Sequence, residues 1–197
     1  LQTVPYDHIV VPNFIAADVL PRAVADFPVL QQPGSYPLEK VVYGPSFDKV
    51  MKAFRLPEVA ELFSEKFNVD VTDKPLMATV RGYMQKKDGR IHTDSENKIL
   101  TILIYMNETW DSDGGRLRIL RDGHNLDNYT AEVAPLAGTL LAFRRCCSSW
   151  HGHKPFVGVR RSIQLNWVTD NDFIEDSYDR HTISAAVKSV ANFFHHR

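Results

Sequence analysis

Between Leu76 and Val168 the sequence repeats one pattern, in which short runs dense in β-branched and aliphatic residues are cut apart by turn-forming residues. Such runs suit a pleated, half-buried surface, while Gly, Pro, Asn and Asp close the turns between them. The pattern predicts strands near residues 76–85, 98–107, 116–121, 130–134, 138–144 and 157–168. The breaks include Lys87-Asp88-Gly89, Asp113-Gly114-Gly115, Asp122-Gly123 and Pro135. Punctuation this regular constrains the segment to an antiparallel barrel or jelly roll. The expected fold class is an all-β core with flanking helices.

The first 75 residues read differently. Residues 7–14 form a strand-like run, and residues 16–26 carry apolar side chains at helical spacing up to the break at Pro28. Residues 31–43, rich in Pro, Gly and polar side chains, predict a surface excursion. A second helix is expected at 56–67 with Leu56, Val59, Leu62 and Phe63 toward the core. A last helix is expected at 182–194, presenting Ile183, Val187, Val190 and Phe194 on one face. A chain of 197 residues suits one well-filled core better than two. The expectation is a single domain over 1–197: an α/β support over 1–75, a jelly-roll core over 76–170 and a C-terminal helix over 171–197.

Charge announces no partner. A net charge of −1 supplies no field to steer nucleic acid or an anionic membrane, and no apolar run approaches the length of a membrane span. Neither nucleic acid nor membrane is expected as a partner. The two cysteines, Cys146 and Cys147, are adjacent and would point to opposite faces of a strand. They indicate neither a disulfide framework nor a thiolate metal site, and both read as buried. A soluble, cytoplasmic protein is the expectation. The sequence opens on Leu1 rather than Met, which leaves the question of a preceding targeting segment open.

Chemistry concentrates at Ile91-His92-Thr93-Asp94, where His and Asp sit two apart and strand alternation aims both at one side. An imidazole and a carboxylate on a common face are two ligands of a two-His, one-carboxylate set, which leaves positions on an octahedral ferrous ion open. Alone, the pair is a weak motif that also suits a solvated turn. A neighbouring strand could deliver His151 as third ligand, although His153, on the same face of an extended segment, is a rival. Nine residues beyond His151, Arg160 offers a guanidinium fork for a carboxylate, and Ser162 faces the same way with a hydroxyl. Arg161 should point away.

Several further matches then fall in order. His92-Thr93-Asp94 is followed by a strand ending in Tyr105-Met106-Asn107, by Glu108-Thr109-Trp110-Asp111, and by Gly114-Gly115-Arg116-Leu117. Pro155 and Arg160 lie four and nine residues beyond His151. Over residues 77–168 the chain resembles the prolyl-4-hydroxylase-like branch of the 2-oxoglutarate/Fe(II)-dependent oxygenase superfamily. The resemblance implies a double-stranded β-helix, a cupin-like jelly roll. It implies that His92, Asp94 and His151 hold Fe(II) and that Arg160 and Tyr105 bind the distal carboxylate of 2-oxoglutarate. Tyr83, nine residues before His92, is implied to line the same pocket, with Ser162 beside it. The implied activity uses O2 to hydroxylate an unactivated C–H bond and releases succinate and CO2. Because Asp94 fills the carboxylate position, no ligand slot is left for halide.

The chain departs from the family pattern where a Trp often stands six residues after the arginine, since Asn166 occupies that place and Trp167 follows. The segment between His92 and Tyr105 is also shorter than in the oxygen-sensing enzymes of the branch. The substrate is left open among a prolyl residue of a protein, a free amino acid and another small molecule. Two other classes stay in view: a metal-dependent hydrolase or isomerase using metal-bound water, and a non-catalytic jelly-roll binding module.

Overall fold

The computed structural model describes residues 1–30 and 32–179. Its centre is a six-stranded antiparallel sheet in the order β1-β7-β4-β9-β3-β2. These strands are β1 (His8–Val11), β2 (Tyr36–Pro37), β3 (Leu76–Met84), β4 (Lys98–Tyr105), β7 (Leu140–Arg144) and β9 (Gly158–Val168). A smaller sheet, in the order β6-β5-β8, consists of β5 (Leu117–Leu120), β6 (Tyr129–Val133) and β8 (His151–Gly152). The two sheets form the jelly roll expected from the strand pattern, and each strand predicted between residues 76 and 168 is found within a few residues of its place.

Strand alternation divides the large sheet into two faces with different tasks. Ala78, Val80, Ile102, Ile104, Ile163 and Leu165 point to one side and join a core completed by the helices. These helices are α1 (Leu20–Ala25), α2 (Pro45–Ala53) and α3 (Pro57–Phe67). On the other side, Tyr105, Leu141 and Phe143 meet Leu117, Ile119 and Val133 of the small sheet in a second cluster. Thr101, Leu103, Ser162 and Gln164 share that inner face and line a cavity. The helices therefore brace the sheet from behind.

The helices also show where local signals acted. α1 begins later than the periodicity suggests, because Pro21 suits the first turn of a helix and residues 17–19 form a turn before it. α2 was not anticipated, yet Phe47, Val50, Met51 and Phe54 recur at helical spacing and all are buried. Pro45 stands in its first turn, and the Asp26 carboxylate accepts the Ser46 N–H at 2.6 Å. α3 ends on Asn68, whose left-handed backbone (φ 48°) is one that asparagine tolerates. Its core face is Ala60, Phe63 and Phe67. Leu56 and Leu62, expected inside, are 52% and 59% exposed: Leu56 is the N-cap, before the helix starts, and Leu62 lies on the outer side.

Residues 171–179 are helical, and the Tyr178 hydroxyl both donates to the Ala78 carbonyl at 3.2 Å and accepts its N–H at 3.3 Å. The helix expected at 182–194 lies outside the described residues. Among the described residues no helix is long and apolar enough to cross a membrane. Cys146 is half-buried and Cys147 exposed, not buried as expected, because both fall in the loop after β7 rather than in a strand. Both are free thiols.

Phe47 is fully buried between the helices, in contact with the rings of Phe27 and Tyr43. Phe47→Ala should lower the unfolding free energy by about 3–5 kcal/mol, the usual loss for deleting a core aromatic. Urea titration followed by circular dichroism measures it. A loss below about 1 kcal/mol would mean that α2 contributes no such packing.

Candidate metal centre and acid cavity

His92 and His151 stand on segments far apart in sequence, and the main chain ties them together. Each backbone N–H donates to the other residue's carbonyl at 3.0 Å, a two-residue bridge that adds the His92 segment to the small sheet beside β8. The pairing brings the imidazole centroids to 4.3 Å. Asp94 follows two residues later, and one ligand atom from each of His92, Asp94 and His151 lies within 4.8 Å of the others. His92 is the exposed member, while Asp94 and His151 are buried.

Hydrogen bonds set the ligand atoms of both histidines in the same way. Nδ1 of His92 lies 2.9 Å from the Arg90 carbonyl, and Nδ1 of His151 lies 2.9 Å from the Ser149 carbonyl. A carbonyl can only accept, so each Nδ1 carries a proton, and Nε2 is the atom left to bind a metal. Burial lowers the His151 pKa to about 4; Asp94 opposes this and His92 adds to it, so the ring is neutral near pH 7.

Asp94 is held as the anion. Burial works against its charge, but Lys98, His151 and Thr101 outweigh it and bring the carboxyl down to about 2. Lys98 Nζ donates to Oδ1 at 3.0 Å and the Thr101 hydroxyl donates to Oδ2 at 2.6 Å. Asn166 Nδ2 in turn donates to Thr101 Oγ1 at 2.8 Å. Two imidazoles and one carboxylate are the donor set of a divalent transition-metal site, and the residues fit a ferrous ion.

The group opens into a cavity of about 130 Å³, whose wall includes Asp94, His151, His153, Arg160, Ser162 and Gln164. At its far end Arg160 is only 4% exposed. Its Nε donates to the Gly115 carbonyl at 2.7 Å, and a terminal nitrogen lies 3.4 Å from the Tyr105 hydroxyl. Gly115 has φ +73°, and a Cβ there would strike the Trp110 ring, so the residue type is demanded by the turn that presents this carbonyl. Burial raises the Tyr105 pKa against the opposing pull of Arg160, and the hydroxyl stays protonated. Among the described residues no carboxylate pairs with Arg160. A buried guanidinium without a counter-ion leaves an anion to be supplied by a ligand.

The placement of the sequence candidates follows. His92, Asp94 and His151 come together, and Arg160, Ser162 and Tyr105 cluster at the other end of the same inner face. His153 is outside the metal group: its Nδ1 faces the Lys154 carbonyl at 2.8 Å, and its ring packs over Gly89. Arg161 points away from the cavity, toward the Phe27 ring. Tyr83 is displaced from its expected place: it is half-buried and faces Val159, itself 55% exposed, and neither lines the cavity. The cause is a register shift between Arg81 and Tyr83, after which Arg81 and Met84 are the β3 residues that line the cavity. Arg81, Lys98, Thr101 and Gln164 were missed; alternation was a usable signal for Arg81, Thr101 and Gln164, whereas a register shift between Lys98 and Leu100 hid Lys98.

Comparison with known proteins agrees with this geometry. Residues 78–169 match the model of the 2OG-Fe(II) oxygenase superfamily. The match spans the β-rich segment that carries the three ligands and the cavity. No curated protein sequence matches the chain. Among solved structures, a Pseudomonas putida prolyl-4-hydroxylase is 18% identical with a TM-score of 0.61, over 85% of this chain and 95% of that one. A Burkholderia pseudomallei oxidoreductase of the 2OG-Fe(II) oxygenase family is 13% identical with a TM-score of 0.55, over 83% and 85%. A viral collagen prolyl hydroxylase from Paramecium Bursaria Chlorella virus-1 is 12% identical with a TM-score of 0.54, over 82% and 96%. At such identities the structures show a shared fold. The similarity of this segment to the 2OG-Fe(II) oxygenases, together with the His-Asp-His group, supports an oxidoreductase, a dioxygenase whose cofactors are Fe(II), 2-oxoglutarate and O2.

The pKa of His151 gives a test in the metal-free protein. Its folded value of about 4 lies below the ordinary 6.5, so the unfolded chain binds more protons between those values. The contribution is fully present above pH 6.5 and is lost as pH falls toward 4. Wild-type protein should therefore lose stability over that window, and His151→Gln should lose less, as read by thermal melts at each pH. Parallel profiles would show that the ring is not held neutral.

Proposed function

We propose that this chain is an Fe(II)- and 2-oxoglutarate-dependent hydroxylase with His92, Asp94 and His151 as its metal ligands and Arg160 as the anchor of the co-substrate. The observation that carries the reading is the buried Arg160, without a counter-ion among the described residues, in the same cavity as the three ligands. A metal-dependent hydrolase or isomerase has no use for that cation, and a binding module has no use for the metal group.

Each residue has a definite task in this reading. His92 and His151 present Nε2 because their Nδ1 protons are committed to backbone carbonyls, and Asp94 contributes charge while Lys98 and Thr101 fix its orientation. Arg160, with Tyr105 and Ser162, receives the distal carboxylate by charge-assisted hydrogen bonds. Leu103, Leu117 and Met84 limit water around the reacting atoms. When bound, ferrous iron and 2-oxoglutarate supply the oxidising power to place one oxygen atom of O2 into a C–H bond, the co-substrate leaving as succinate and CO2. With a carboxylate at position 94, hydroxylation is favoured over halogenation.

The substrate reaches the exposed His92 side. There a groove of about 670 Å³, lined in part by Thr93, Asn97, Lys98 and Phe173, meets the His92–Asp94 pair. Its volume suits a small molecule or one side chain of a peptide. The prolyl hydroxylases among the structural neighbours favour a proline-like substrate, either a prolyl residue of a protein or a free amino acid. A cytoplasmic setting, suggested by two free cysteines and no disulfide, belongs to the same proposal.

The test is succinate release by purified protein with Fe(II), 2-oxoglutarate and O2, each omitted in turn. All three should be required. His92→Ala should lower turnover by about 100-fold or more with an unchanged circular dichroism spectrum, since even residues that only orient metal ligands cost 10–100-fold. Oxygen-independent turnover would establish the hydrolytic alternative instead.

A further inference from the structure

We infer that Arg81 is a second cation for the distal carboxylate of the co-substrate, so that this chain grips the diacid from both sides of β9. The inference deepens the proposed function and rests on it.

Its basis is the pairing of three strands. On one rung of the large sheet, Arg81 of β3 faces Ser162 of β9, and Ser162 faces Tyr105 of β4. Paired residues share a face, and neighbouring strands are about 4.8 Å apart. The rung thus sets Arg81 and Tyr105 on either side of the Ser162 hydroxyl. Arg160, two residues before Ser162 on β9, lines the same cavity as Arg81. A carboxylate held by Ser162, Tyr105 and Arg160 has Arg81 as its neighbour on the open flank.

Arg81 is weakly engaged otherwise. Its guanidinium lies 3.7 Å from Asp88 and 3.6 Å from the Met84 sulfur, with no closer polar contact among the described residues. The side chains of Arg81 and Asp88 are 32% and 19% exposed, so the ion pair is partly screened. Burial disfavours the Arg81 charge, Asp88 opposes that, and the like charge of Arg160 acts in the direction of burial. Two guanidiniums that repel across one cavity are both relieved by an anion placed between them. Asp88, at the hairpin that follows β3, then competes with the ligand for Arg81.

The competition yields opposite signs for two substitutions. Wild-type, Arg81→Gln, Arg81→Lys and Asp88→Asn proteins are loaded with Mn(II) without oxygen and titrated calorimetrically with 2-oxoglutarate and with 2-oxobutyrate, which lacks the distal carboxylate. Arg81→Gln should weaken 2-oxoglutarate about tenfold, the scale of one charged hydrogen bond, and leave 2-oxobutyrate unchanged. Arg81→Lys should recover much of the loss. Asp88→Asn still offers an oxygen to the Gln85 N–H that Asp88 now holds at 2.8 Å, and should tighten 2-oxoglutarate about two- to fivefold. An unchanged 2-oxoglutarate affinity in Arg81→Gln overturns the inference alone, including the case in which Arg81 serves the substrate. Equal weakening of both acids overturns it too, by showing that Arg81 supports the metal site or the fold. Wild-type protein that binds neither acid would overturn the oxygenase reading itself.

Discussion

The two main-chain hydrogen bonds between His92 and His151 are the constraint from which the site follows. They make the backbone, rather than side-chain packing, responsible for bringing two ligands together from separate parts of the chain. The same small device is then used twice, with each imidazole turned by the carbonyl two residues before it, from Arg90 and from Ser149. Once the backbones are paired and the Nδ1 atoms occupied, the two Nε2 atoms have little choice of direction. Asp94 needs only strand alternation to join them.

The large sheet carries a division of labour. Even-numbered residues of β4, among them Ile102 and Ile104, are committed to the helical layer, and odd-numbered ones, Thr101 and Leu103, to the cavity. Close packing of Phe47, Phe63 and Phe67 against the rear face holds the sheet without touching the chemistry in front of it. Charge is divided as well. Asp94 has its counter-charge in Lys98, whereas Arg160 has a backbone carbonyl and a phenol but, among the described residues, no carboxylate. One end of the cavity is complete in itself and the other is built for a visitor.

How much of this was legible depended on whether a feature is local. The strands from Leu76 onward announce themselves through β-branched runs and glycine-bearing turns, and alternation alone puts Arg160 inside and Arg161 outside. The same rule could not choose between His151 and His153, which share a face; the choice is made by which backbone pairs with His92. Nor could it foresee the slip between Arg81 and Tyr83, because a register shift belongs to a pair of strands and not to either one. The slip turns Tyr83 away from the cavity that Arg81, before it, lines. α2 had a readable period in Phe47, Val50, Met51 and Phe54, hidden behind a stretch whose Pro and Gly suggested only loop.

The oxygen that aims Arg160 belongs to the main chain of Gly115, at 2.7 Å from Nε. A backbone atom cannot be exchanged by substitution, so the direction of the guanidinium is insulated from drift in neighbouring side chains. Insertions and deletions are another matter, for a change in length between Tyr105 and Leu117 would carry that oxygen elsewhere. Across descendants of this chain, the loop can therefore vary more in composition, Gly115 apart, than in the spacing that sets the reach of its glycine.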